Sequence, residues 1–482
     1  MADLTNPEDS LAQEVNSSDE NTLERLGYKQ VLHRSYSLFE NFSTSFAALY
    51  FVGGVRVTFT TGIAAGGPLA YWTSYIVTCV FTFITAAVIA EACSASPSAG
   101  SIYLWAAEAG GKRFGRLFGF IVAWWSTTAW TTFCASNTQS AVNYMLSELA
   151  VFNVDFPTNV SSIKFHAVQW ICTEVLLALA ALMNLASARV FKYVFWFSTG
   201  AVFLDFILNV VWLPIATAGI LIGFDASGHV AEETKNAAVN AAKGIFWSTV
   251  VSGVLGFSAV ILFLFTSPPI DVLFSYDAPQ PFVPLYAVLL GEGGHIVMNV
   301  LSVVALWLNT AIAITVASRL VFAVARDGVL PLSGWVSRVS AEGQPRNAVL
   351  VVWGVAAVIT CTILPSAVAF TSLVSAAGVP SAAAYGLISL GRLTLTSGEK
   401  LEAKWSLGRL SKPFQFISVL WNGWVVAVLF SPYSFPVEAS TLNYAPIILG
   451  IVTIFALISW FFTPATAWVP RGRLSRPIED TE

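Results

Sequence analysis

FVGGVRVTFTTGIAAGGP, residues 51 to 68, sets Arg56 and the glycine pair Gly53 and Gly54 inside a run otherwise apolar enough to cross a bilayer. A guanidinium near mid-membrane costs at least ~2.5 kcal/mol, so Arg56 must face a partner or water. Adjacent glycines in such a run either let helices pack closely or mark a place where the helix comes apart. The pattern returns at GFDASGHVAEETKNA, residues 223 to 237, where Gly223 and Gly228 bracket Phe224 and Asp225. Two interrupted spans, each carrying a charge, predict paired broken helices, an arrangement that places a binding site at the bilayer midplane.

The surroundings support a membrane setting. Of 482 residues, 56% are hydrophobic and 11% charged, with a mean hydropathy of +0.70. A soluble chain of this length buries an adequate core with far less apolar content. The chain therefore reads as an all-α polytopic membrane protein. Apolar runs fall near 39–61, 68–92, 114–146, 165–187, 193–213, 214–231, 245–267, 294–323, 347–364, 368–391, 413–432 and 444–463. Apart from Arg56 and Lys164, every lysine and arginine lies before the first run or at or after the inner end of an even-numbered one. Basic residues accumulate on the cytoplasmic side, so about twelve transmembrane helices are expected, with the N- and C-termini cytoplasmic. The first 24 residues hold seven acids and no base, the mark of a disordered cytoplasmic tail. The sequon Asn159-Val160-Ser161 falls in an outer connection. The five cysteines show no CxxC spacing, so neither a disulfide framework nor a metal site is expected.

One connection is short. Between Lys192 and Glu232, both expected inside, residues 193–231 must supply an outward and an inward crossing. Two straight helices of about 20 residues use all of them, leaving nothing for an unwound middle. Either the sixth helix is shortened or Pro214 turns the chain early.

A helix break frees N–H groups on one side and carbonyls on the other, which together suit a carboxylate and a cation. Arg56 supplies fixed charge beside such a site, or pairs structurally with Glu91, Glu174, Asp205 or Asp225. Asp225 is the first candidate for exchanging a coupling proton, because burial favours the neutral carboxyl. Glu91, at the cytoplasmic end of the second span, is a second candidate, with capping or pairing as its alternative role. His229 lies one turn beyond Asp225, where helix packing is the alternative to ligation. Trp130, in a third span also holding Trp124 and Trp125, either packs or offers an aromatic face to an ammonium. Asn309 and Thr310 in the eighth span face the site or bridge helices.

The runs AEACSASPSAGSIYLWAAEAGG (90–111), GFDASGHVAEETKNA (223–237) and ASRLVFAVARDGVLP (317–331), the last followed by GQPRNA (343–348), resemble the amino-acid/choline permeases. These are best populated in fungi, include GABA and choline permeases, and belong to the amino acid–polyamine–organocation superfamily. The resemblance covers residues 31–470. It implies an inverted-repeat 5+5 transporter core plus two helices, alternating access, and proton-driven uptake of an amino acid or organocation such as GABA or choline. The family's site carries over onto Gly53 and Gly54, and onto Gly223, Phe224 and Asp225, with Phe224 resembling the gating aromatic. The chain departs from the family at 214–222, where about 30 residues of outer loop and half-helix are missing.

The expected organisation is a cytoplasmic disordered tail (1–35), a permease domain (36–470) and a cytoplasmic C-terminal tail (471–482). The expected substrate-binding residues are Gly53, Gly54, Arg56, Trp130, Gly223, Phe224, Asp225 and Asn309, with Asp225 and Glu91 as proton carriers. The expected partners are a small-molecule substrate, protons and the lipid bilayer of the plasma membrane. No cofactor, metal, nucleic acid or enzymatic activity is expected: HExxH, GxSxG and nucleotide-loop motifs are absent from the sequence. The alternative reading is a non-transporting membrane sensor, or an inactive splice product of such a permease.

Overall fold

The computed structural model describes the chain from residue 23 to 468, apart from 25–26, 33–35, 155, 157–161, 187, 213–234, 277, 342, 366, 400, 402, 433–435, 438–441 and 465–467. The described residues build a bundle of helices. The sequon at Asn159 and the stretch holding Gly223, Phe224, Asp225 and His229 lie outside them, as does the expected sixth span.

Helix α1 covers Leu38–Leu49 and α2 covers Phe51–Ala95. A capping box starts α1: Ser37 Oγ accepts from Phe39 N, and Glu40 reaches back to Ser37 N at 2.8 Å. Glu40 also accepts from Trp196 Nε1 at 2.9 Å, which ties this end of α1 to α6, Ala188–Trp212. Within α2, Gly67 takes φ 73° and Pro68 follows it, so the helix stops and restarts there. That single turn separates the first two expected spans.

Short α3 (Ser101–Ala109) leads into α4 (Gly111–Val151), and α5 covers Ile163–Met183. Beyond α6 come α7 (Ala237–Thr266), the short α8 (Ile270–Phe274) and α9 (Phe282–Arg326). Gly291, at φ 70°, breaks α9 into a short first piece, Phe282–Gly291, and a long rod. Short α10 (Ser333–Val336) precedes α11 (Arg346–Thr360), α12 (Ala367–Thr394), α13 (Ser411–Leu429) and α14 (Ala445–Phe462). The tightest pairings are α9 on α4, α2 on α7 and α12 on α13.

Seven stretches of described residues are long and apolar enough to cross a membrane by length and composition: Leu38–Ala95, Ile163–Met183, Val190–Val210, Ala237–Thr266, Gly293–Arg326, Arg346–Ile363 and Ala445–Phe462. The first contains two of the expected spans. Helix α4, 41 residues long, is not among them. Its buried residues include Ser126, Thr127, Thr131, Thr132, Asn137, Thr138 and Tyr144, which lower its hydropathy while leaving it at the centre of the bundle.

The segment before α1 is seated against the far end of α9. Leu23, Tyr28, Leu32 and Tyr36 are buried in the main core, and Tyr28 Oη donates to Asp327 Oδ2 at 2.7 Å. The Arg326 guanidinium lies 4.0 Å over the Tyr28 ring. Burial pushes the Asp327 carboxyl up to about 8, against the pull of the Tyr28 hydrogen bond.

Candidate binding site at the break between α1 and α2

The first span is interrupted, but not at the glycine pair. Tyr50 takes φ 30° and ψ 60°, a left-handed conformation that ends α1 and begins α2. For a bulky residue this costs about 1–3 kcal/mol and persists only where surrounding contacts over-determine it. Gly53 makes it possible: a Cβ there would stand 2.2 Å from Tyr50 Cε1, because the Tyr50 ring lies across that bare position. The glycine that marked the break in the sequence is the floor on which the breaking residue rests.

The break faces a cavity of about 220 Å³. At ~30 Å³ per liquid water this is the space of about seven waters. It is lined from the α1–α2 junction by Ala48, Tyr50, Gly53 and Gly54, from α4 by Phe133, Ser136, Asn137 and Ser140, from α9 by Asn309, and from α12 by Gly378. Asn137 Nδ2 donates to Asn309 Oδ1 at 3.0 Å, and Asn309 Nδ2 donates to Ala48 O at 3.2 Å. One orphan carbonyl at the end of α1 is thus capped by a side chain from across the cavity. The first N–H groups of α2, from Phe51 to Gly53, belong to a helical turn that supplies no acceptor of its own. Partial negative charge from α1 and partial positive charge from α2 therefore meet at one wall.

Gly53, Gly54 and Asn309 line this cavity. Trp130 stands behind it: it is buried and packs edge-on against Phe133, which does line it, at 5.6 Å between ring centroids. Arg56 is not among the lining residues. Its guanidinium is fully buried and pairs with Asp205, which among the described acids, Glu91, Glu174 and Asp205, is the one brought to it; Asp225 lies outside the described residues. Its Nη1 donates to Ser302 Oγ at 2.6 Å and Tyr286 Oη at 3.2 Å, its Nη2 to Tyr50 Oη at 3.1 Å and to Asp205, and its Nε to Val52 O at 3.4 Å. Asp205 is held in turn by Tyr50 Oη at 2.7 Å and Asn209 Nδ2 at 3.0 Å. A buried pair with this many partners is saturated, which is how a charge survives away from water.

Glu91 is far from the cavity lining. Its carboxylate accepts from Ser406 Oγ and Leu407 N, each at 2.8 Å, and from Ser411 Oγ at 2.6 Å, so it anchors the segment entering α13. Glu174 is occupied by Thr360 Oγ1. Sequence reasoning passed over Tyr50, whose ring and left-handed backbone organise the site; the signal available was an aromatic three residues before a glycine pair.

A second cavity of about 210 Å³ lies beyond Gly378, between α2, α12 and α13, with Thr82, Tyr385, Trp421, Asn422 and Trp424 in its walls. None of its lining residues is charged or sits at a helix break, so the break-side cavity is the better site.

The chain matches the family model for amino acid permeases over residues 39–220 and 208–457. It is 46% identical to a thiamine transporter of Schizosaccharomyces pombe, over 94% of this chain and 87% of that protein. It is 29% identical to an amino-acid permease of Oryza sativa, over 92% of this chain and 93% of that protein. Its fold matches the crystal structure of an Eremococcus coleocola manganese transporter, with a TM-score of 0.53 at 11% identity, covering 91% of this chain and 96% of that one. The two family matches overlap at 208–220. The thiamine-transporter alignment runs over 512 positions, so against a chain of 482 residues at least 30 positions have no counterpart here.

Proposed function

The chain belongs to the amino acid permease family, and from that premise we propose that it is a proton-coupled secondary transporter carrying a small organocation or amino acid by alternating access. The observation that carries this reading is the cavity at the α1–α2 break, where carbonyl ends, N–H ends and two asparagines converge. An ammonium or other organic cation sits against the carbonyl end of α1 and the aromatics. A carboxylate, when the substrate has one, sits against the first turn of α2 at Gly53 and Gly54. Arg56 acts behind this wall through Tyr50, and Gly223, Phe224 and Asp225 supply the matching half of the site. The greater likeness to a thiamine transporter than to the plant permease favours an organocation over a zwitterion. The protein works in the plasma membrane with both ends in the cytoplasm, and it has no enzymatic role.

The test is uptake of labelled thiamine, choline, GABA, other amino acids and polyamines into proteoliposomes, with and without a proton gradient. Counterflow of at least one of them is expected, and accumulation that collapses with the gradient. Absence of counterflow for every compound removes the transport reading. The second reading, a ligand-binding sensor or inactive splice product, is favoured by the overlap of the two family matches at 208–220. Restoring about 30 residues there separates the two: flux gained only by the restored chain supports the second.

A further inference from the structure

The seam between α4 and α9 carries polar side chains at helical spacing along its length. On α9 they are His295, Asn299, Ser302, Asn309 and Thr310; on α4 they are Asn137, Thr138, Tyr144 and Glu148. They meet in register. Asn137 bonds Asn309, Thr138 Oγ1 lies 3.4 Å from Thr310 Oγ1, and Ser302 takes the Arg56 guanidinium. At the end away from the N-terminal segment, Asn299 Nδ2 donates to Glu148 Oε1 at 2.7 Å, and His295 Nδ1 lies 3.1 Å from Glu148 Oε2. The imidazole is 2% exposed and the carboxylate 17%. Ser, Thr and Asn commonly hydrogen-bond across membrane helices, but a carboxylate and an imidazole facing each other there are rare and ask for a reason.

The seam also contains its own unsatisfied atoms. Glu148 Oε2, within reach of His295 but not aligned with it, Asn299 Oδ1 and Tyr144 Oη are buried with no hydrogen-bond partner among the described residues. Buried groups of this sort call for an explanation. Tyr144 stands between the two ion pairs, with the Arg56 guanidinium 5.6 Å from its ring centroid.

We propose that the Glu148–His295 pair is the binding site of the coupling proton, an assignment that rests on the proton-coupled transport reading above. Unprotonated, the pair carries one net negative charge: Glu148 is ionised and His295 neutral, with Nδ1–H toward the carboxylate. The arriving proton adds to Nε2 of His295, and the pair becomes neutral overall. Neutralisation removes the penalty of a lone buried charge and lets α4 and α9 close over the cavity. Loss of the proton restores the charge and reopens the seam. Among the described residues, the nearby titratable groups are Tyr144 on α4, Arg56 on α2, Asp205 on α6 and Tyr286 on the short first piece of α9. Arg56 and Asp205 neutralise each other. On α5, Lys164 is exposed and His166 Nδ1 lies 3.3 Å from Leu364 O, and Asp271 on α8 is exposed.

The test uses the full chain in proteoliposomes with labelled thiamine and labelled GABA as probes, comparing wild type with Glu148→Gln and His295→Gln. Counterflow at equal pH on both sides is expected within about twofold of wild type. Accumulation driven by a pH gradient is expected to fall at least tenfold, with the pH profile of uptake flattened. Unchanged accumulation in both variants overturns the assignment, and so does loss of counterflow together with accumulation, since a proton carrier spares exchange. If wild type exchanges neither probe, the transport reading fails separately. The pair is then judged by thermal unfolding against pH in detergent, where an inflection in wild type that both variants retain refutes it.

Discussion

Two acid–base pairs lie inside the bundle, and they are built on opposite plans. Arg56–Asp205 is surrounded by Tyr50, Tyr286, Ser302 and Asn209, and nearly every polar atom of the pair has a partner. Glu148–His295 has one firm neighbour, Asn299, and leaves atoms unpaired. The first joins α2, α6, α9 and the lid-like piece at Phe282–Gly291; the second joins two helices at their rim. A saturated pair is hard to titrate and behaves as a girder, because either partner alone is a stranded charge. An unsaturated pair that includes an imidazole leaves room for its charge to change without tearing the fold.

The sharpest way to break this contrast is to remove one member of the inner pair. Arg56→Ala or Asp205→Ala should each destabilise the protein by about 3–5 kcal/mol, seen as loss of monodisperse protein in detergent. The combined Arg56→Met, Asp205→Leu chain should recover most of that loss, because no charge is left unpaired. Equal damage from single and double changes would mean that the pair has a role beyond holding helices together. Next in size is Gly53→Ala, which drives a methyl into the Tyr50 ring. Overpacking of this kind costs about 1–3 kcal/mol, and it should raise the KM for substrate as well as lower the melting temperature. Glu148→Gln should cost no more than about 1 kcal/mol, since the amide keeps an acceptor for Asn299; a loss as large as that at Arg56 would erase the distinction.

The smallest effect concerns the docked N-terminal segment. The folded Asp327 carboxyl, raised from 3.8 to about 8, binds more protons than the unfolded one. Its contribution to docking is therefore full below 3.8 and gone above about 8. Proteolysis between residues 23 and 36 should accelerate as pH rises toward 8 and 9, and Asp327→Asn should flatten that dependence.

Much of the architecture could be read from apolar run lengths, because a bilayer leaves a chain few options besides helices of that length. The need of Arg56 for a partner was also legible, and Asp205 stood among four named acids. Which acid it was depended on the packing of α2 against α6, 149 positions apart. The break itself was displaced by three residues, from Gly53 to Tyr50, because propensity points to glycine for left-handed backbone. Here glycine instead clears space for the ring of the residue that adopts it. His295 and Glu148 escaped notice because each is a single titratable residue on its own helix, 147 positions from the other. Only their register with Asn299, Ser302 and Asn309 reveals a file, and register across two helices is a tertiary fact.

Tyr50 borders the cavity, and its phenol both donates to Asp205 and receives from Arg56. The same residue is hinge and crank. Any rotation of its ψ angle that widens or narrows the binding chamber must swing the hydroxyl and pull on a joint fastened to three other helical segments. On the proposed transport reading, a guest molecule pressing on the chamber wall would gain mechanical purchase on α6 and α9, with no messenger between them beyond one aromatic ring.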